Sequence, residues 1–167
     1  MSKHEISLEV NGHSIQAVVE PNMSLLELLR TEAGAPEVKL GCGEGVCGTC
    51  TVLLDGEPIN SCLVFAVQAD GRAVTTVRGL AADGELHPLQ QSFLDHAGSQ
   101  CGFCTPGMLL TSKWYLDGHP AAGREELRAA LAGNLCRCTG YTKILDAVEA
   151  YRDAVAADQS PEVSHVD

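Results

Sequence analysis

The segment GCGEGVCGTC, which runs from Gly41 to Cys50, brings three cysteines and four glycines into ten consecutive residues. Four residues separate Cys42 from Cys47 and two separate Cys47 from Cys50, while Cys62 lies on the next predicted extended segment. This spacing, with a distant fourth cysteine, is that of the plant-type [2Fe–2S] site. The glycines permit positive φ and close backbone approach, so that three thiolates can converge on one cluster. We therefore predict a first [2Fe–2S] cluster ligated by Cys42, Cys47, Cys50 and Cys62.

A structural zinc site is the main alternative for these four cysteines. Zinc sites usually take two closely spaced cysteine pairs, whereas the gap between Cys42 and Cys47 is wide and Cys62 has no cysteine near it in sequence. A redox-active disulfide between Cys47 and Cys50 would leave the other cysteines without a role. The spacing therefore favours the iron–sulfur site over both alternatives.

A second set of four cysteines lies in the other half of the chain. Cys101 and Cys104 form a C-x2-C pair, Cys136 and Cys138 flank Arg137, and each pair precedes a predicted helix. The positive end of a helix dipole favours anionic thiolates. Spacing alone leaves tetrahedral zinc open for this set. A Rieske centre would need two histidine ligands, and none of the six histidines lies within these motifs.

The composition of the 167-residue chain excludes several functional classes. A formal net charge of −11 offers no basic surface for nucleic acid or for an anionic membrane. No apolar run is long enough to span a bilayer, and the first ten residues lack the apolar stretch of a signal peptide. These features predict a cytoplasmic location, where eight cysteines indicate metal ligation rather than disulfides.

The hydrophobic pattern predicts an α+β chain with a strand-rich first half and a helical second half. Asn11-Gly12 is a hairpin-turn signal, and Ser24 opens a capping box for a helix. Thr105 and Pro106 predict the N-cap and first turn of a later helix. Further strands are predicted over Thr51–Leu54, Cys62–Val67 and Ala73–Val77.

The same pattern predicts where the chain divides. The polar segment 79–88 reads as a linker between the two halves. We predict a ferredoxin-like domain over residues 1–79 and a helical cluster-binding domain over residues 80–157. A polar segment without periodicity, residues 158–167, is predicted to be a mobile tail.

Three motifs together resemble the small iron–sulfur subunit of the molybdenum hydroxylases. This is the xanthine oxidase family, which includes aerobic carbon monoxide dehydrogenase, aldehyde oxidoreductases and bacterial N-heterocycle hydroxylases. The similarity spans residues 4–155. Its motifs are GCGEGVCGTC at 41–50, QCGFCTPG at 100–107 and NLCRCTGY at 134–141. Thr49 is a mild departure, because the family often has alanine or serine there.

The resemblance implies a fold and a second cluster. The fold would be an N-terminal β-grasp domain of plant-type ferredoxin followed by a C-terminal four-helix domain. The second [2Fe–2S] cluster would be ligated by Cys101, Cys104, Cys136 and Cys138.

The resemblance also implies partners. Gln100 and Cys138 would approach a molybdopterin cofactor on a large subunit, and the first cluster would face FAD on a medium subunit. Electrons would pass from molybdenum through the second cluster and then the first to FAD, in a dimer of heterotrimers. The complex would hydroxylate or oxidise a small molecule, and this chain would carry no residue that transforms substrate.

Two alternatives belong to different functional classes. A free-standing ferredoxin-type electron carrier would need only the N-terminal half, so the helical half argues against it. A zinc-binding structural module would be colourless, whereas [2Fe–2S] proteins absorb visible light. The substrate and the physiological electron acceptor are not encoded in this chain.

Overall fold

A computed structural model describes residues 3–158 of the chain. The first half contains β1 (His4–Val10), β2 (His13–Val19), α1 (Leu25–Thr31), β3 (Thr51–Leu54), β4 (Glu57–Asn60) and β5 (Ala73–Thr75). The second half contains α2 (Pro88–Asp95), α3 (Thr105–Gly118), α4 (Arg124–Ala130) and α5 (Thr142–Asp158). Short 3₁₀ turns cover Ala66–Ala69, Val77–Leu80 and Leu131–Gly133. Of the predicted tail, Asp158 is the last residue of α5, and residues 159–167 lie outside the described residues.

The five strands form one mixed sheet in the order β2-β1-β5-β3-β4. Only β1 and β5 are parallel; the other neighbours are antiparallel. The predicted first hairpin is confirmed, since Asn11 and Gly12 both take positive φ, 52° and 81°. Asp55 and Gly56 turn the β3–β4 hairpin with the same sign of φ. Such turns match the right-handed twist of paired strands.

Helix α1 packs its leucines into the core of the sheet half. Ser24 caps it as predicted, because its Oγ accepts from the backbone N–H of Glu27 at 3.1 Å. Leu25, Leu28 and Leu29 are fully buried. The core also includes inward residues of the strands, among them Ile6, Leu8, Val10, Val52, Leu54 and Val74.

The predicted strand over Cys62–Val67 is wrong. Within this segment, Val64 O accepts from the N–H of Leu25 at 2.7 Å, and Ser61 O, just before the segment, accepts from the N–H of Leu26 at 3.0 Å. The first N–H groups of a helix lack partners within the helix, and these two carbonyls supply them. Only Phe65 pairs as a strand residue would, in an isolated antiparallel bridge with Ser24, because the 3₁₀ turn begins at Ala66. The predicted strand over Ala73–Val77 is shorter than expected and ends at Thr75.

The second half surrounds a separate apolar core. Leu89, Phe93, Met108, Leu127 and Ile144 are buried there on four different helices. The predicted N-cap of α3 is off by one residue: Cys104 occupies the cap, Thr105 opens the helix and Pro106 lies in its first turn. No helix in the described part of the chain is long and apolar enough to cross a membrane.

Candidate metal centres

The first four cysteines meet at one end of the sheet. Cys42 and Cys47 lie in the loop between α1 and β3, and Cys50 directly precedes β3. The β3–β4 hairpin returns the chain so that Cys62 comes beside Cys50. Ser61 fixes this return, since its Oγ donates to Cys50 O at 2.7 Å.

The loop turns its backbone N–H groups toward Cys42. The N–H groups of Glu44 and Val46 donate to the Cys42 sulfur at 3.3 Å and 3.4 Å. Gly43 and Gly45 take positive φ, 71° and 75°, which aims these groups inward. The hydrogen bond from the Glu44 N–H is the main reason that the pKa of Cys42 falls to about 6. A thiolate at this position is therefore stabilised by the fold itself.

Cys50 lies in a different environment, although it belongs to the same set. Burial raises the pKa of its thiol to about 11, with a further contribution from the adjacent Cys62. Ionisation of Cys50 is disfavoured because its thiol is buried and because a negative charge on the neighbouring Cys62 would repel the thiolate. A bound cation reverses that preference, since it neutralises both thiolates. The pair is therefore suited to a metal rather than to free thiolates.

The second set lies between the N-terminus of α3 and the segment before α5. Cys101 and Cys138 are exposed, and their sulfurs are 3.5 Å apart. Cys104 is buried next to Cys136, and burial raises the pKa of the Cys104 thiol to about 12. The chain crossing from α4 to α5 thus delivers the C-x-C pair onto the C-x2-C pair.

The turn that carries Cys136 is held by Thr139 and Tyr141. The Thr139 hydroxyl donates to the Cys136 sulfur at 3.1 Å, and its N–H lies 3.5 Å from the same atom. Burial opposes ionisation of Cys136, but these hydrogen bonds outweigh it and lower the pKa of the thiol. The Tyr141 hydroxyl accepts from the Cys136 N–H and donates to Asn134 O, each at 3.1 Å.

No disulfide links the eight cysteines, all of which lie among the described residues, and their sulfurs approach one another in pairs. The pairs are Cys42 with Cys47, Cys50 with Cys62, Cys101 with Cys138, and Cys104 with Cys136. The 3.5 Å between the Cys101 and Cys138 sulfurs is far from the roughly 2.05 Å of a disulfide. It is close to the roughly 3.7 Å expected for two thiolates on one tetrahedral metal with metal–sulfur bonds of about 2.3 Å.

Pairs of thiols fit a cluster of two irons better than a single ion. A structural zinc ion draws four thiolates to one point, whereas a [2Fe–2S] cluster takes two thiolates on each iron. Two sulfur pairs in each half of the chain match the two-plus-two arrangement of thiolates on a [2Fe–2S] cluster.

Segment 133–135 connects the two sets. The N–H of Leu135 donates to Cys47 O at 2.8 Å, which places the residue before Cys136 against the loop of the first set. Asn134 is buried at the same point, and its side-chain amide donates to Gly48 O at 3.0 Å. Gly48 must be a glycine here, because a Cβ would meet Gly133 O at 2.3 Å.

The far side of each set faces the surroundings. Cys42 is exposed, and so are the large apolar side chains of Leu40, Val46 and Leu63 near it. In the other half, Cys101, Cys138, Gln100 and Arg137 are exposed, together with the apolar side chains of Phe103 and Leu135. Each set therefore has an inner side, which lies at the junction between the two sets, and an outer side, which is exposed.

Sequence reasoning brought out the cysteines but not the polar groups that hold them. The hydroxyls of Thr49, Thr139 and Tyr141 bond to atoms nearby in sequence, whereas the amide of Asn134 reaches Gly48 in the other half of the chain. Three of them lie within the NLCRCTGY motif, which was the available signal.

Two protein-family models together match residues 8–149 of the chain. A "2Fe-2S iron-sulfur cluster binding domain" family model matches residues 8–77, and a "[2Fe-2S] binding domain" model matches residues 76–149. The small FeS subunit of nicotinate dehydrogenase from Eubacterium barkeri is 50% identical over 89% of this chain and 94% of its own. Caffeine dehydrogenase subunit gamma from Pseudomonas sp. (strain CBB1) is 45% identical over 98% of this chain and 99% of its own.

A solved structure shares the fold as well. A chain of quinoline 2-oxidoreductase from Pseudomonas putida 86 superposes with a TM-score of 0.88 at 45% identity. The match covers 96% of this chain and 100% of that chain. The ferredoxin-like half and the helical half therefore occur together, in this order, in a protein of known structure.

Proposed function

Because the chain belongs to the family of small iron–sulfur subunits of the molybdenum hydroxylases, we propose that it relays electrons between two partner subunits of an oxidoreductase complex. The electrons come from a molybdopterin site on a large subunit and leave to FAD on a medium subunit, while the complex hydroxylates or oxidises a small molecule. When bound, the two [2Fe–2S] clusters supply one-electron transfer. The protein supplies their placement and surroundings.

The ligand assignment follows the sulfur pairs. Cys42, Cys47, Cys50 and Cys62 hold the first cluster, and Cys101, Cys104, Cys136 and Cys138 hold the second. In each set, one pair includes a buried cysteine and the other includes an exposed one. The buried pair anchors the cluster, and the exposed pair brings its outer side to the surface.

One observation carries the relay: the hydrogen bond from Leu135 N–H to Cys47 O. Cys47 belongs to the first set, and Leu135 is bonded directly to Cys136 of the second. The two sets are thereby connected through covalent bonds and a single 2.8 Å hydrogen bond. A short connection of this kind favours electron transfer between the two clusters.

The outer sides define where the partners dock. Gln100 and Cys138 lie on the exposed side of the second set, which we assign to the molybdopterin of the large subunit. The exposed side around Cys42 is assigned to the FAD of the medium subunit. The assembly would be a dimer of heterotrimers. We place it in the cytoplasm, because the reducing conditions there keep cysteine thiols available as cluster ligands.

The two apolar cores support a division of the chain into two domains. The first would be a β-grasp domain over residues 1–79, and the second a four-helix domain over residues 80–157. The names of three relatives refer to nicotinate, caffeine and quinoline, which are all nitrogen heterocycles. We therefore propose a nitrogen heteroaromatic substrate, bound by the large subunit.

Serine replacement of one buried cysteine in each set tests the assignment. In the reduced complex, Cys50→Ser should disturb only one of two distinguishable paramagnetic signals, and Cys104→Ser should disturb only the other. Low-temperature electron paramagnetic resonance measures both signals in one sample. If either variant removed both signals while circular dichroism showed an intact fold, the partition into two sets would be wrong.

Isolation of the native assembly separates the relay from a free electron carrier. We expect the chain to co-purify with two larger subunits that contain molybdopterin and FAD. A chain that remains a monomer at its native concentration would instead support a free-standing ferredoxin.

A further inference from the structure

Two threonine hydroxyls lie against cysteine sulfurs, one in each set. Thr49 Oγ1 is 3.3 Å from the Cys47 sulfur, and Thr139 Oγ1 is 3.1 Å from the Cys136 sulfur. We propose that these hydroxyls raise the reduction potentials of the two clusters by donating hydrogen bonds to ligand sulfurs. The inference rests on the ligand assignment proposed above and adds two positioning residues to it.

The Thr49 hydroxyl has one realistic acceptor. A metal-bound thiolate carries no proton, so the hydroxyl must be the donor in its contact with Cys47. Its other neighbour, Lys39 O, is 3.5 Å away, which is beyond the usual range for a hydroxyl donor to oxygen. Thr49 is also only 6% exposed, so water does not compete for the proton.

Gly41 makes room for this contact. A Cβ at position 41 would lie 2.7 Å from Thr49 Oγ1 and 2.8 Å from the Cys47 sulfur. Both distances are too short for real atoms, so any larger residue would push the hydroxyl and the sulfur away. Gly41 therefore leaves the space in which the Thr49 hydroxyl reaches the Cys47 sulfur.

The Thr139 hydroxyl is oriented by the next turn of chain. Its oxygen accepts from the Tyr141 N–H at 3.1 Å, which leaves its own proton for the Cys136 sulfur. The N–H of Thr139 approaches the same sulfur at 3.5 Å. Cys136 thus has two donors from one residue.

Such donors favour the reduced form of a cluster. Reduction adds one negative charge that spreads onto the ligand sulfurs, and a hydrogen bond to sulfur stabilises that charge. The effect is stronger in a partly buried site, where water screens the charge less. Cys47 and Cys136 also flank the Leu135 hydrogen bond, so the two hydroxyls act at the junction between the sets.

The test compares threonine with valine, which keeps the shape and removes the hydroxyl. Thr49→Val and Thr139→Val are prepared in the full complex, with Thr49→Ser and Thr139→Ser as variants that keep the hydroxyl. Thr51→Val is the control for a structural effect, because the buried Thr51 hydroxyl donates to Gly48 O at 2.7 Å and accepts from Asn134 at 3.3 Å, so this variant disturbs the junction without removing a donor to sulfur. Redox titration followed by electron paramagnetic resonance gives the midpoint potential of each cluster separately.

Each valine variant should lower the potential of its own cluster only. At the wild-type midpoint, the ratio of reduced to oxidised cluster should fall about tenfold, which for a one-electron couple corresponds to about 59 mV. The serine variants should stay close to the wild-type ratio, and Thr51→Val should move neither potential.

The inference fails if Thr49→Val and Thr139→Val leave both potentials unchanged while both signals are present at full intensity. It also fails if Thr51→Val shifts a potential as far as Thr49→Val does, because the effect would then be structural. If a valine variant does not assemble, Thr49→Ala and Thr139→Ala remove the same hydroxyls with smaller side chains. An error in the ligand assignment would give a different result: Cys50→Ser or Cys104→Ser would remove the paramagnetic signal of the other cluster, or both signals.

Discussion

Replacing Asn134 with alanine should loosen both clusters at once. Asn134 is 4% exposed and makes three side-chain hydrogen bonds at the junction between the halves. Its amide nitrogen donates to Gly48 O at 3.0 Å and to Thr51 Oγ1 at 3.3 Å. Its oxygen accepts from Thr111 Oγ1 at 3.0 Å. Gly48 and Thr51 belong to the first half and Thr111 to α3, so one side chain bridges the two.

The expected cost can be worked out bond by bond. Each neutral hydrogen bond contributes about 1 kcal/mol net, so three contribute up to about 3 kcal/mol. Gly48 O keeps two other donors, the N–H and the hydroxyl of Thr51, and is not left without a partner. The Thr111 hydroxyl does lose its acceptor in a buried place. We therefore expect a loss of about 2–3 kcal/mol, including the small cavity that alanine leaves.

Bleaching of the visible iron–sulfur absorption in denaturant measures this loss. If the junction opens before the clusters are released, a loss of about 2–3 kcal/mol speeds bleaching by roughly 30- to 150-fold, because each 1.4 kcal/mol is tenfold. Thr111→Val removes only one of the three bonds and should speed bleaching by less. Gln91→Ala is the control, since its exposed amide donates only to Asp95 within α2.

Two results would refute this reasoning. One is an Asn134→Ala complex that bleaches at the wild-type rate or at the rate of Gln91→Ala. The other is loss of the second cluster alone, with the first signal intact, because a residue that bridges the halves should affect both. Electron paramagnetic resonance on samples quenched during bleaching distinguishes these outcomes.

Two further predictions concern a glycine and a histidine. Gly48→Ala should sharply reduce the iron and acid-labile sulfide bound per chain, because its Cβ would meet Gly133 O at 2.3 Å. Gly43→Ala is the control: its φ is similarly positive, but its Cβ would only touch the Leu40 side chain at 3.8 Å, so the loss should be smaller. Burial, with Lys113 nearby, lowers the pKa of His87, so the unfolded chain binds a proton more readily and stability should fall as the pH drops below about 6.5. His87→Ser keeps an N-cap acceptor for α2 and should show a flatter pH dependence of the denaturation midpoint between pH 7 and 5; an equal dependence would contradict the assignment.

The local features of the chain could be predicted where the backbone signal is strong. The turn at Asn11-Gly12 is confirmed because its positive φ angles depend on the two turn residues themselves. The strand Thr51–Leu54 is confirmed as well, with three of its four residues buried. The family was also predictable, since cysteine spacing and the NLCRCTGY motif are properties of the sequence itself.

Features that depend on distant partners were less predictable. The segment Cys62–Val67 has the apolar character of a strand, yet Val64 O accepts from the first N–H of α1 and a 3₁₀ turn begins at Ala66. Thr105 has the chemistry of an N-cap, yet Cys104 occupies that position.

The sequence by itself determined which side chains are available as ligands: two unequal sets of four cysteines, with glycines where the first loop must turn tightly. Only the tertiary structure decided how those sets relate. It paired the sulfurs, buried Cys50 and Cys104 while exposing Cys42, Cys101 and Cys138, and joined the sets through Leu135 and Cys47. The physical reason is that spacing along the chain constrains only neighbouring residues. The environment of each sulfur is made by hydrogen bonds and burial between segments that are up to about half the chain apart.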